Sequence, residues 1–225
     1  MGECGNLPFV GESYMAEIII LANSIKKGGH CIAGIDRQTD EWIRPVSRAN
    51  RAIPGYVAEQ IKLLDIVNIP LESDRPIDRY QRENRVITSW DWKVLNTVSP
   101  TDISRYCEDS ATILHSHTDY VEPTYFESLP FEKWESLQLI RTMVNFSKDT
   151  FKPSHWRASF RDKTGHFLYL KVTDSKIVDK LNNKAEIGSD CILTISLTGP
   201  WAPGDRSKPE RCYKLVAGVI ELQVL

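Results

Sequence analysis

Trp42 and Arg44 stand two residues apart in the run Trp42-Ile43-Arg44-Pro45-Val46. Alternate side chains of an extended chain share a face, so an indole and a guanidinium lie side by side near a strand end set by Pro45, which cannot donate to a ladder. Such a pair can stack on a planar group and grip an anion, and it can equally be a packed structural pair. Arg48 and Arg51 follow in a basic loop. A second concentration of the same chemistry fills residues 137–172. There Arg141, Lys148, Lys152, Arg157, Arg161, Lys163 and Lys171 face only Asp149 and Asp162, a net charge of +5, with Trp156, Phe160, Phe167 and Tyr169 interleaved. Cations that follow phosphates and rings that stack on bases are the materials of a single-strand-binding surface. Trp42, Arg44, Arg48, Trp156, Arg157, Arg161 and Lys171 are therefore candidate contacts, as is Trp201 in the proline- and glycine-rich loop over residues 198–211. In the second cluster Trp156, Ala158 and Phe160 alternate with Arg157, Ser159 and Arg161. A half-buried strand gives that pattern anyway, so core packing is favoured for Trp156 and Phe160.

His115-Ser116-His117 with Asp119 has donor types that suit a metal or a nuclease centre. Alternate positions converge only on a strand, these residues read as a helix end, and no second carboxylate cluster or cysteine pair completes a site. A solvated loop is the favoured reading, and neither a metal nor a cofactor is expected. His155 and His166 are lone histidines around a hairpin, as suited to a phosphate as to catalysis. No glycine-rich phosphate loop, nucleophile elbow or paired-histidine zinc motif is present.

The elements that must position these groups are mostly short strands. Residues 17–21, 31–36, 42–46, 63–70 and 85–98 read as strands, the second and third joined as a hairpin through Arg37-Gln38-Thr39-Asp40. In the first limb Cys31, Ala33 and Ile35 alternate with Ile32, Gly34 and Asp36, the signature of one buried face. Residues 72–84 are polar and read as an exposed connection. Asp102 or Thr101 is expected to cap a helix that ends near His117. Residues 102–135 then carry a net charge of −6 and are broken by Pro123 and Pro130; this stretch marks the expected boundary. Beyond it, residues 137–146, 156–161, 166–172, 191–197 and 213–222 read as strands, with Asp162-Lys163-Thr164-Gly165 turning a hairpin and Asp174 capping a short helix through Leu181. Residues 30–35 faintly echo 214–219, and Trp42-Ile43-Arg44 echoes Trp156-Arg157, a weak sign of two related modules.

The 225 residues are 41% hydrophobic and 26% charged, enough to bury a real core. A formal charge of −2 excludes a polycation that coats nucleic acid indiscriminately, so any such surface must be a local patch. Five scattered cysteines without a paired motif fit free thiols in a reducing cytoplasm. The longest apolar run, residues 18–22, is too short for a bilayer, so no membrane is expected. The pattern predicts a mainly β protein with minor α: a flexible lead-in over 1–14, a first barrel with a helical insert over 15–127, and a second barrel over 128–225.

The run Ile20-Leu21-Ala22-Asn23-Ser24, then Gly29 to Asp36 and Trp42 to Val46, joined by Tyr169-Leu170-Lys171-Val172, Leu197-Thr198-Gly199-Pro200-Trp201 and Cys212 to Val219, resembles the dual OB-containing domain proteins of bacteria. The resemblance covers nearly the whole chain from Met15. It implies two OB-like barrels in tandem and a nucleic-acid-binding or sensing role, in some members within prokaryotic conflict systems, and it carries over no catalytic residue. The expected partners are single-stranded DNA or RNA and a protein partner in a defence operon. The alternative is a small-ligand sensor or metal-dependent enzyme whose site lies in a cleft between the modules, near His115, His117 and Asp119.

Overall fold

The computed structural model describes residues 13–48, 52–73, 80–202 and 209–222. Apart from Ser13 and Tyr14, the expected lead-in lies outside them, as does Arg51. The elements are β1 (Ser13–Lys26), β2 (Gly29–Asp36), β3 (Trp42–Val46), α1 (Gly55–Ala58), β4 (Asp65–Glu72), β5 (Asn84–Val86), β6 (Lys93–Thr97), α2 (Pro100–Ile103), β7 (Tyr120–Val121), α3 (Pro123–Glu127), β8 (Leu137–Met143), β9 (Asn145–Lys148), β10 (Trp156–Arg161), β11 (Phe167–Val172), α4 (Ser175–Asn182), β12 (Asp190–Leu197) and β13 (Cys212–Glu221). The protein is mainly β, as expected. No helix among the described residues is long and apolar enough to cross a membrane.

Two barrels form. In the first, β1 pairs with β2, β2 with β3, β3 runs parallel to β5, and β4 returns to β1. The ring closes where Leu71 bridges Ile87 and the Thr88 N–H donates to the Pro70 carbonyl at 2.9–3.0 Å spacing typical of a ladder, here 3.0 Å. In the second, β8 passes through Val144 straight into β9, so one bent strand pairs with β12 on one side and β10 on the other. β10 pairs with β11, β11 runs parallel to β13, and β13 pairs with β12. Strand for strand this is the same circuit, and a helix, α1 or α4, lies between the third and fourth strands of each. Asp174 caps α4 by accepting from the N–H groups of Lys176 and Ile177, as the sequence predicts.

The first core gathers Ile18, Ile20, Ile32, Ile43, Val67 and Ile69; the second gathers Phe126, Phe160, Leu168, Leu170, Leu193 and Val216. A third cluster lies between them. Ile19, Leu21, Ile35 and Ile66 meet Leu139, Ile192 and Ile220, and beside them the small residues Ala22, Ala33 and Ala217 pack with Leu137. This explains one departure from expectation: β2 buries both faces, Ile32 into its own barrel and Ala33 and Ile35 into the seam.

The seam depends on a bulge. The β1–β2 register skips Leu21 between the pairs Ile20–Gly34 and Ala22–Ala33, which frees the Leu21 carbonyl from its ladder. That carbonyl accepts a 2.5 Å hydrogen bond from the fully buried Thr194 hydroxyl on β12. It also lies so close to β13 that a Cβ on Gly218 would sit 2.1 Å away. Farther along, the Ile25 N–H donates to the Thr173 carbonyl at 2.9 Å.

Two other expectations change. The helix predicted to end near His117 is the four-residue α2 followed by a 3-10 turn over Ser104–Tyr106. Ser99, not Thr101 or Asp102, is its N-cap, in a capping box with Asp102. Ile103, Tyr106 and Cys107 dock into the seam, the Glu108 N–H donates to the Leu139 carbonyl, and Leu114 and His115 take positive φ, so the helix cannot continue. Ile113, Leu114, Val121 and Phe126 pack into the second core, and β7 pairs with β13. In the connection expected to be exposed, Tyr80 stacks on Trp134 with ring centroids 5.9 Å apart and Glu83 is buried; residues 74–79 lie outside the described ones.

Gly218→Ala therefore forces a methyl into backbone. It is expected to lower unfolding free energy by about 1–3 kcal/mol or more, as overpacking does, whereas Gly199→Ala, with open space around it, stays within about 0.5 kcal/mol. Urea unfolding of the two variants checks this.

Candidate nucleic-acid interface

Because Ala158, Phe160, Leu168 and Leu170 point into the second core, the alternation of β10 and β11 turns Arg157, Ser159, Tyr169 and Lys171 outward. Register sets Arg157 directly opposite Lys171 and Ser159 opposite Tyr169. Like charges directly opposite each other destabilise a strand pair. Burial lowers the Lys171 ammonium from its ordinary value, and the charges of Arg157 and Lys152 lower it further. His155 is lowered by burial and then by Lys171 and Lys152. The face is short of negative charge.

Two loops frame it. In the connection from β9 to β10, Asp149 Oδ1 accepts from the N–H groups of Phe151 and Lys152 at 2.8 and 3.0 Å, and its Oδ2 accepts from Arg157 Nε at 2.6 Å. Arg157 first, with those turn N–H groups, holds the Asp149 carboxyl down at about 2. The turn keeps the Phe151 ring in water, 94% exposed. In the connection from β12 to β13, Trp201 pairs its backbone with Arg211 and stands edge-on to Tyr213, 54% exposed. Between the loops lies a groove of about 620 Å³ whose walls carry Lys152, His155, Arg157, Lys171 and Lys214 against Asp119 and Asp149. Burial pushes the Lys214 ammonium down to about 8, and its Nζ donates to the Ser116 carbonyl at 2.6 Å. Burial raises the Asp119 carboxyl.

Of the eight candidates, Arg157, Lys171 and Trp201 line this groove together. Trp156 does not. It packs against the second core, and its Nε1 donates to Asn182 Oδ1 at 2.8 Å. Arg161 sits at the hairpin end, donating to the Gly165 carbonyl at 2.6 Å. Arg48 is 72% exposed on the first barrel and pairs with Glu72 at 2.6 Å. Trp42 packs into the seam. Arg44 is 3% exposed, 2.8 Å from Glu83 Oε1, and donates to the hydroxyls of Ser136 and Ser196 at 3.0 and 3.3 Å. Both answer to the inter-barrel contact, Arg44 buried in it and Trp42 half-buried against it. Phe151, Tyr213 and Lys214 are groove residues outside the candidates, and Lys152 joins them from the basic cluster of residues 137–172. Phe151 carried the one available signal, an aromatic in a Lys- and Pro-bearing loop.

A family model described as the dual OB-containing domain matches residues 16–219. The chain belongs to that family. The two OB barrels of that domain are the two circuits described above. Among solved structures, it is similar to the tetrameric p202 HIN2 at 6% identity and a TM-score of 0.33, covering 95% of this chain and 93% of that one. It is similar to a murine DNA-binding protein bound with double-stranded DNA at 9% identity and a TM-score of 0.32, covering 94% and 100%. No curated protein matches it.

His115, His117 and Asp119, whose donor types suit a metal or nuclease centre, do not converge. His115 packs edge-on to Phe126, His117 bonds Asp162, and Asp119 takes the Tyr169 N–H at the groove. Among the grooves between the barrels, one of about 220 Å³ sets five carboxylates, Glu83 and Glu108 among them, against Arg82 and Arg85, and one of about 410 Å³ runs between Lys62 and Asp174.

Removing one member of a buried ion pair strands the other. Arg44→Ala is therefore expected to cost about 3–5 kcal/mol of stability, measured by chemical denaturation. A loss below about 1 kcal/mol would mean that Arg44 is not part of the seam.

Proposed function

We propose that the chain binds single-stranded nucleic acid, DNA or RNA, along the outer face of β10 and β11 in the second barrel. OB barrels bind oligonucleotides on the face of their second and third strands, between the loops that join strands one to two and four to five. In the second barrel those strands are β10 and β11, and those loops hold Phe151 and Trp201. The observation that carries the reading is the register opposition of Arg157 and Lys171, with Asp149 bonded to Arg157 and Lys171 facing that cation across the strands, between two exposed rings. Phosphates relieve the repulsion, and the rings offer stacking platforms that accept any base.

The same face of the first barrel is closed. Its second and third strands, β2 and β3, spend Ala33, Ile35, Trp42 and Arg44 on the seam. One track on the second barrel is the arrangement these contacts support.

Fluorescence anisotropy with labelled single-stranded oligonucleotides tests this. Three or four phosphate contacts give a slope of log affinity against log salt of about −2 to −3. Phe151→Ala, which removes an exposed ring and so spares the fold, is expected to weaken binding by about 1–3 kcal/mol. Lys171→Ala weakens it as well, while Arg48→Ala leaves it unchanged. Absence of any binding at low salt would overturn the reading.

A pH dependence follows from Lys214. Its folded-state value of about 8 lies below the ordinary lysine value because burial disfavours the ammonium form, and an anion bound in the groove favours that form again. Binding near pH 8 then takes up a proton, and affinity falls as pH rises from 7 to 9. Titrations with an oligo-deoxyadenosine across that range are expected to show a several-fold decline, and a flat profile would contradict it.

A further inference from the structure

At the far end of the β10–β11 hairpin the chain builds a second cluster that the nucleic-acid reading does not use. The turn leaves β10 at Asp162, whose side chain is fully buried. Its Oδ1 accepts from the Thr164 N–H at 3.0 Å, the Thr164 hydroxyl at 2.8 Å and the His166 N–H at 2.9 Å. Three donors on one oxygen are what the turn requires. The other oxygen, Oδ2, points away from the turn and meets His117 Nδ1 at 2.7 Å. His117 comes from the segment ahead of β7, forty-five residues earlier. The His166 ring lies against it, with centroids 4.0 Å apart and the planes 27° from parallel. Burial raises the Asp162 carboxyl, but the hydrogen bonds from His117, Thr164 and the His166 N–H outweigh it and hold the group ionised.

We propose that His117, His166 and Asp162 form a binding site for a borderline divalent transition metal, Zn²⁺ being the ion that suits them best. Two imidazoles and one carboxylate make the donor set of a three-ligand zinc centre, whose fourth position is open to water. The three ligand atoms already lie within 4.8 Å of one another. Bond lengths of about 2.0–2.2 Å bring tetrahedral ligands to about 3.3 Å apart, a closure within reach of side-chain rotation. The two rings are the parts free to make it, 37% and 54% exposed, while the turn holds the carboxylate fixed. Thr164 Oγ1, which donates to Asp162 Oδ1 at 2.8 Å, is placed to orient the carboxylate from the outer sphere. A turn needs one capping carboxylate. It does not need two histidines from separate segments stacked over that carboxylate's remaining oxygen.

The bound ion fastens the segment ahead of β7 to the hairpin. That segment supplies Ser116, which accepts from Lys214, and Asp119. The metal therefore has a structural role in the second barrel that stands whether or not the groove takes nucleic acid.

Full-length protein stripped of metal by chelator and dialysed is titrated with Zn²⁺ by calorimetry and with Co²⁺ by visible absorption. The expected result is one ion per chain, Co²⁺ ligand-field bands of a four- or five-coordinate centre, and a higher melting temperature with Zn²⁺. His166→Gln keeps the backbone N–H that the turn uses, so the fold is retained, and affinity is expected to fall by more than about 100-fold, beyond the range that outer-sphere partners account for. His117→Gln gives the same loss. Zinc binding or cobalt bands that survive either substitution, or no binding to the native protein, overturns the site.

Discussion

Where β1 meets β13, two barrels come into backbone contact. The bulge at Leu21 turns a carbonyl out of its own sheet, the buried Thr194 hydroxyl satisfies it, and the glycine at 218 leaves the room it needs. A carbonyl left unpaired there would cost about 1–3 kcal/mol, so bulge, hydroxyl and glycine stand or fall together. Once they hold, Ala22, Ala33 and Ala217 close the rest of the approach, and the isoleucines and leucines around them form a core that belongs to neither barrel alone.

That contact divides the labour between two barrels of the same topology. The face on which an OB barrel meets its ligand is, in the first barrel, the face pressed into the seam. Arg44 is therefore a buried ion-pair partner of Glu83, with two serine hydroxyls from the second barrel's side of the contact. In the second barrel the corresponding face looks outward. There the register opposes Arg157 to Lys171, and the one carboxylate that reaches Arg157, that of Asp149, also shapes the loop that holds Phe151 in water. A chain with a net charge of −2 thus keeps a local excess of cations in one groove.

Much of the fold was legible because strand alternation and turn chemistry are local. The hairpin around Asp162-Lys163-Thr164-Gly165 and the Asp174 cap follow from residues within a few positions of each other. The seam was not legible, because both faces of β2 are apolar or small and nothing local says which of two cores each face serves. The internal echo shows the same limit. It aligned β2 with β13 and β3 with β10, yet the circuits make β10 the counterpart of β2, β11 of β3 and β13 of β5. The likeness between residues 30–35 and 214–219 comes from a shared need instead: Gly34 lies under the Ile19 carbonyl and Gly218 under that of Leu21, each too close for a Cβ. The expected helix over 102–117 failed for a tertiary reason, since Ile103, Tyr106 and Cys107 are drawn into the seam. Of the candidate contacts, those on the β10–β11 face and in the loop after β12 came together, while residue type alone could not separate Arg157 from Arg44.

The most direct measurement is photocrosslinking of the intact protein to a single-stranded oligonucleotide carrying photoreactive bases, with the linked peptides read by mass spectrometry. Crosslinks are expected at Phe151, Tyr169, Trp201 or Tyr213, and none on β2 or β3. Crosslinks concentrated on the first barrel, or none above those to a denatured control, would contradict it.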